Sequence, residues 1–189
     1  MRCIICTRVS FCIICKKCQD VFLVIKPSIR VLEDFKVYSF YSYEENAFLL
    51  NMKYDAIGSR IYKILAQRAS EYFFNHLSVR FPKDCYGVGI DDDPKKGYSH
   101  TGIILKGFSS KIKPIFGELR AKNKVKYAGE SLSFRKKNPK NFKCKVSYKD
   151  LIIFDDIITT GTSMLEAREK LQKYNNNVLF GIVLSDARS

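Results

Sequence analysis

A parallel α/β sheet with helices on both faces is the fold class that this sequence predicts, and three observations carry the prediction. Short apolar runs alternate with segments of helical periodicity along the chain. The run 151–154 (Leu-Ile-Ile-Phe) stops at Asp155-Asp156, as a buried strand does at its carboxyl end. A glycine-containing hydroxyl turn, 159–163, then opens a further helix. The chain has 189 residues, 46% of them hydrophobic, which suffices for one buried core plus a small appendage and is too little for two full domains. Its 14 Phe and 11 Tyr, with 10 Gly and 5 Pro, exclude a disordered or fibrous chain.

The elements follow in order. Residues 1–18 read as a cysteine-rich knuckle and 19–27 as a short connection. The aromatic, partly alternating run 37–43 suits a strand or hairpin, and 44–54 a short helix. Ile61, Leu65, Ala69, Tyr72 or Phe73, and Leu77 recur at helical spacing, so 55–77 is expected to be an amphipathic helix started by Asp55. The run 85–90 reads as a buried strand ending at Asp91-Asp92-Asp93-Pro94, 99–108 as a helix, and 114–121 as a second strand. Residues 122–141 form a long polar loop, 151–154 a central strand, 162–174 a helix and 178–184 a last strand.

Charge and cysteines narrow the class. The formal net charge is +14, and it is regional: 14 Lys or Arg face only Glu118 and Glu130 between residues 106 and 149. Such a region attracts polyanions, so nucleic acid, a phosphorylated metabolite or an anionic membrane are the candidate partners. Five of the seven cysteines crowd into the first 18 residues, which is not the distribution of a disulfide framework. The apolar start is interrupted by Arg8 and Ser10 and lacks a small-x-small cleavage site, and no apolar run approaches a membrane span, so a soluble cytoplasmic protein is expected.

Residues 151–162 carry the chemistry. The apolar strand holds the turn, and Gly161 allows close backbone approach and unusual dihedrals. The start of the following helix offers main-chain N–H groups and the positive end of its dipole, with hydroxyls of Thr159, Thr160 and Thr162 as added donors, so a phosphate fits there. Asp155 and Asp156 can accept hydrogen bonds from a vicinal diol on the same ligand. Phosphate beside diol describes a ribose phosphate. The lack of any G-x-x-x-x-G-K-[ST] segment disfavours a nucleoside triphosphatase.

The joint pattern resembles the phosphoribosyl pyrophosphate (PRPP) motif of type I phosphoribosyltransferases. That resemblance implies Asp155 and Asp156 on the ribose hydroxyls, Thr159, Thr160, Gly161, Thr162 and Ser163 on the 5'-phosphate, and magnesium joining diol to pyrophosphate. It also implies an oxocarbenium-like transition state, for which the protein supplies positioning, charge stabilisation and exclusion of water.

Over nearly its whole length the chain is similar to the ComF (ComFC) family, competence proteins that join an N-terminal cysteine knuckle to a phosphoribosyltransferase-like domain. Gly97-Tyr98-Ser99-His100 resembles that family's turn after the first core strand, and Arg120, Ala128-Gly129, Arg135 and Asn138 fall on its lid pattern. Tyr127 stands where Gln is common, and Asp91-Asp92-Asp93 precede Lys95-Lys96 where a more basic loop is usual. The division implied is 1–26 as zinc knuckle and linker and 27–189 as the phosphoribosyltransferase-like domain. Within the latter, 27–80 form a hood and leading helix and 84–189 a core with lid loop 122–141.

Lys95, Lys96 and His100 are the pyrophosphate candidates, and Arg120, Tyr127, Arg135, Lys136 and Lys137 the lid and DNA-binding candidates. Two C-x-x-C pairs, Cys3/Cys6 and Cys15/Cys18, are expected to hold zinc; the polar Cys15-Lys-Lys-Cys18 turn is preferred to the apolar Cys12-Ile-Ile-Cys15, which leaves Cys12 spare. The resemblance implies a PRPP-binding protein of natural transformation that handles incoming single-stranded DNA with other uptake proteins, with Phe134, Phe142 and Tyr148 as stacking aromatics among the lysines. The alternative is a working phosphoribosyltransferase of nucleotide salvage or synthesis.

Overall fold

The computed structural model describes residues 1–91, 94, 97–123, 134 and 137–188. A bridge between Arg2 and Val9 opens the chain. Next come α1 (Lys16–Phe22), β1 (Ser28–Leu32), β2 (Phe35–Ser39), β3 (Tyr41–Ser42), α2 (Tyr43–Asn51) and a 3-10 turn (Met52–Tyr54). The chain continues through α3 (Gly58–His76), β4 (Tyr86–Ile90), α4 (His100–Gly107), β5 (Lys113–Ala121), β6 (Phe142–Lys143), β7 (Asp150–Ile158), α5 (Thr162–Gln172) and β8 (Asn177–Asp186).

The described strands form one mixed sheet in the order β1-β2-β8-β7-β4-β5-β6, with β3 pairing β8. The pairs β2–β8, β8–β7, β7–β4 and β4–β5 are parallel, and the edges β1 and β6 run antiparallel to their neighbours. The expected parallel-dominated α/β sheet is present, with the motif strand β7 at its centre. Side chains alternate across a strand, so β7 feeds two cores. Ile152 and Phe154 pack with Ile61, Leu65, Ile104 and Leu105 of α3 and α4, whereas Leu151 and Ile153 pack with Met164, Ala167 and Leu171 of α5. The knuckle residues Cys3, Ile14, Cys18 and Leu23 join the α3/α4 core, which ties the appendage to the body.

Three local expectations shift. Residues 19–22, expected as connection, belong to α1, where Gln19 N–H donates to Cys15 O (2.9 Å) and Leu23 N–H to Gln19 O (3.0 Å). Helix α3 starts at Gly58, not Asp55, because Asp55 closes the preceding 3-10 turn onto Met52 O (2.9 Å). A side chain at position 58 would meet the Tyr98 hydroxyl at 2.2 Å, so glycine is required by that close approach. Strand β7 runs on through Asp155 and Asp156 to Ile158, held by parallel pairing with β8 as far as Asp186. Among the described residues no helix is long and apolar enough to cross a membrane.

Candidate functional site

Helix α5 begins without a side-chain cap, because its N-cap is Gly161, in the left-handed region at φ 85°. A residue with a side chain is strained there, and its Cβ would lie 2.7 Å from Leu32 of β1. The turn is further fixed by Arg30, whose Nη1 donates to Thr159 O (2.5 Å) and pairs with Asp186 Oδ1 (3.2 Å) in a largely buried contact. Thr160 and Thr162 hydroxyls bond each other at 2.9 Å, and Thr162 N–H reaches Thr160 Oγ1 at 3.4 Å. Among the described residues nothing accepts from the main-chain N–H of Gly161, Ser163 or Met164. These amides open into a shallow pocket lined by Asp155, residues 157–163 and Met164. The positive end of the helix dipole points into the same pocket, so its chemistry is that of an anion site.

The paired acids part company. Half-buried Asp155 lines this pocket, and its Oδ1 accepts from Asp156 N–H (2.9 Å). Asp156, one residue on, faces α3 and α4. Its Oδ2 accepts from Lys53 Nζ (2.7 Å) and the Tyr62 hydroxyl (3.3 Å), with His100 Nε2 at 3.8 Å, while Oδ1 accepts from Ile157 N–H (2.9 Å). Burial raises Asp155 above the ordinary carboxylate range, the charge of Asp156 adds to this, and Lys140 partly offsets it. Burial would raise Asp156 as well, but Lys53 and His100 outweigh it and hold this carboxyl below that range. The same attraction outweighs burial at Lys53, whose ammonium is held more firmly than usual.

Ligand atoms of His100, Asp155 and Asp156 lie within 4.8 Å of one another. Magnesium, which the resemblance to phosphoribosyltransferases implies together with PRPP, prefers an octahedron of oxygens and usually keeps several waters. The set does not fit it: one donor is an imidazole, and Oδ2 of Asp156 already holds an ammonium.

Of the remaining predicted residues, His100 heads α4, with its ring edge-on to Tyr54 and Tyr62 at 6.1 and 6.0 Å. Arg120 is exposed on β5 and donates to Gly117 O (3.0 Å), and Lys137 is also exposed. Lys95, Lys96, Tyr127, Arg135 and Lys136 lie outside the described residues, as do Asp92, Asp93, Ala128 and Gly129. Tyr148 is 79% exposed and Phe134 37%, but Phe142 is not available for stacking: at 1% exposure it is core, packed beside Leu119 under the edge strand β6. The carboxylate of Glu166 on α5 accepts from Lys140 N–H (3.0 Å) and Asn141 N–H (2.5 Å), which fastens the end of the basic segment beside Asp155. Sequence reasoning missed Arg30, Lys53, Tyr62, Glu166 and Asp186, whose roles come from contacts distant in the chain.

The four knuckle thiols predicted as a set come together: Cys3, Cys6, Cys15 and Cys18 have sulfurs within 4.8 Å of one another, and Cys12 is exposed outside the cluster. Cys6 and Cys15 sulfurs are 3.7 Å apart, against roughly 3.8 Å for a tetrahedral site with zinc–sulfur bonds of about 2.3 Å. Burial and then the neighbouring thiols push Cys18 up, while at Cys3 hydrogen bonds led by Cys15 N–H outweigh burial and bring the thiol down. The donor set fits a tetrahedral thiophilic ion.

No protein-family model matches the chain. An orotate phosphoribosyltransferase of Yarrowia lipolytica is 26% identical over 145 residues, 67% of this chain and 63% of that protein, so the chain spans less than two thirds of this relative's length. Among solved structures, a hypoxanthine phosphoribosyltransferase from Staphylococcus aureus aligns at TM-score 0.39 and 19% identity, covering 66% of this chain and 62% of that one. An adenine phosphoribosyltransferase aligns at TM-score 0.40 and 14% identity, covering 89% and 88%. The parallel-dominated sheet, with the motif strand at its centre and an uncapped helix after it, is a mixed α/β fold.

Proposed function

We propose that this protein binds PRPP at the carboxyl end of β7. The 5'-phosphate sits on the turn 159–163, the ribose hydroxyls meet the acid pair on its Asp155 side, and the 1-pyrophosphate extends toward His100 and the loop containing Lys95 and Lys96. The observation that carries this reading is the coincidence, in a single pocket, of one carboxylate and three main-chain amides that have no acceptor among the described residues. Those groups are complementary to a phosphate and a diol on one small ligand. Titration calorimetry with PRPP tests it: the native chain binds, and Asp155→Ala/Asp156→Ala loses at least about tenfold in affinity, worth about 1.4 kcal/mol. Equal heats from the two proteins would refute it. Release of pyrophosphate on adding nucleobases or ammonia separates a working transferase from a binding protein.

The four-thiol cluster is read as a structural zinc site, since a short appendage cannot bury a sufficient core of its own. Its presence beside this fold supports the second reading, the handling of single-stranded DNA in natural transformation, and so does the basic region with exposed Arg120, Lys137 and Tyr148. An oligonucleotide should then bind with a strong salt dependence. Neutralising Arg135, Lys136 and Lys137 together should lower the slope of log K against log salt by about 2. Binding that ignores salt would count against DNA handling and leave PRPP binding untouched.

A further inference from the structure

Lys53 had no place in the motif, yet it makes the closest contact of any described group with the more buried acid. Its ammonium is 2.7 Å from Asp156 Oδ2, and the two side chains are only 24% and 7% exposed. This is not a surface lysine that has drifted into a salt bridge. The 3-10 turn carrying it is fastened at both ends: the Tyr98 hydroxyl donates to Lys53 O, and Asp55 N–H closes onto Met52 O (2.9 Å). Tyr62, itself donating to Leu50 O (2.8 Å), reaches the same carboxylate oxygen, and His100 stands beside it. A second cation placed on that oxygen would meet the ammonium at short range in a poorly solvated site, where like charges repel strongly.

We infer that Lys53 stands in for a protein-bound divalent cation at the acid pair: its ammonium is the resident counter-charge of Asp156, and it keeps divalent metals off Asp155 and Asp156 while a ribose phosphate binds. Lys53 is thus a positioning and specificity-determining residue. This goes beyond the PRPP reading, on which it rests for the identity of the ligand. Asp156 is fixed in one orientation before ligand arrives, and any divalent cation in the complex must be held by the oxygens of the ligand's own pyrophosphate.

The test uses the metal alone, on the full chain with its knuckle zinc-loaded, by following the free manganese(II) signal in electron paramagnetic resonance. Lys53→Gln should take up manganese at least about tenfold more tightly than the native chain, and Lys53→Arg, which keeps the charge, should behave like the native chain. Adding Asp156→Asn to Lys53→Gln should abolish the gain. Should Lys53→Gln fail to fold, Asp156→Asn alone asks the same question, since removing a carboxylate that Lys53 already occupies should leave manganese uptake unchanged. Equal uptake by native chain and Lys53→Gln, or native uptake that Asp156→Asn removes, would overturn the inference. Failure of PRPP to bind would refute the functional reading without altering this result.

Discussion

On the α5 face of the sheet, Asp155 shares a pocket with amides of Gly161, Ser163 and Met164 that nothing among the described residues satisfies. On the α3/α4 face, one residue further along the same strand, Asp156 has Lys53, Tyr62 and His100 gathered on one oxygen. The strand's two-residue repeat sends neighbours to opposite faces, so an acid pair adjacent in sequence is divided between two environments. The first leaves main-chain donors without acceptors among the described residues beside a carboxylate, as expected of a ligand site. The second is electrostatically complete and acts as a fixed wall beside it.

Removing the completed side should cost the most. Asp156→Ala leaves the Lys53 ammonium poorly solvated and without its anion, and should lower unfolding free energy by about 3 kcal/mol in a urea titration. The double variant Lys53→Gln/Asp156→Asn should recover part of that loss. A cost below about 1 kcal/mol for Asp156→Ala would place the pair among solvent-screened contacts and erase the contrast between the faces.

The turn comes next. Gly161→Ala forces a side chain into the left-handed region and against Leu32, and should cost about 2 kcal/mol while weakening PRPP at least about tenfold. Loss of stability with unchanged PRPP affinity would separate the turn from the ligand site.

The smallest effect is the most specific. Asp155 titrates above the ordinary range in the folded chain, so its contribution to stability is full below the unfolded value of about 3.9 and is lost as pH rises through the folded value. Asp156 has the opposite sign: its contribution is present above about 3.9 and disappears as pH falls through its depressed folded value. Asp155→Asn should therefore melt above the native chain by a margin that widens from about pH 5 to about pH 9, while binding PRPP more weakly. A margin that is flat with pH would mean that Asp155 is not held in an unfavourable environment.

How much of this could be read from sequence follows from the range of each interaction. The strand, the turn and α5 are written in consecutive residues: an apolar run, two acids, hydroxyls around Gly161 and the spacing of Leu165 and Leu171. The cysteine set was equally local, because a C-x-x-C turn brings its own sulfurs together. Lys53 and Asp156 are 103 positions apart, and Arg30 and Thr159 are 129, so no pattern near either partner announces the contact. Phe142 misled for a related reason: its lysine neighbours read as a solvated stacking segment, whereas pairing of Ala121 with Phe142 turns that side chain into the core. Helix α1 was hidden because seven residues without a side-chain cap carry little signal of their own.

A chain of 21.8 kDa suits amide-resolved magnetic resonance, which reaches the main-chain donors directly. Titrated with PRPP, the N–H signals of Gly161, Ser163 and Met164 should move furthest and shift downfield as they begin to donate to phosphate. If those three stay in place while PRPP binds and the largest shifts fall elsewhere, the anion site at the head of α5 is not where this protein holds its ligand.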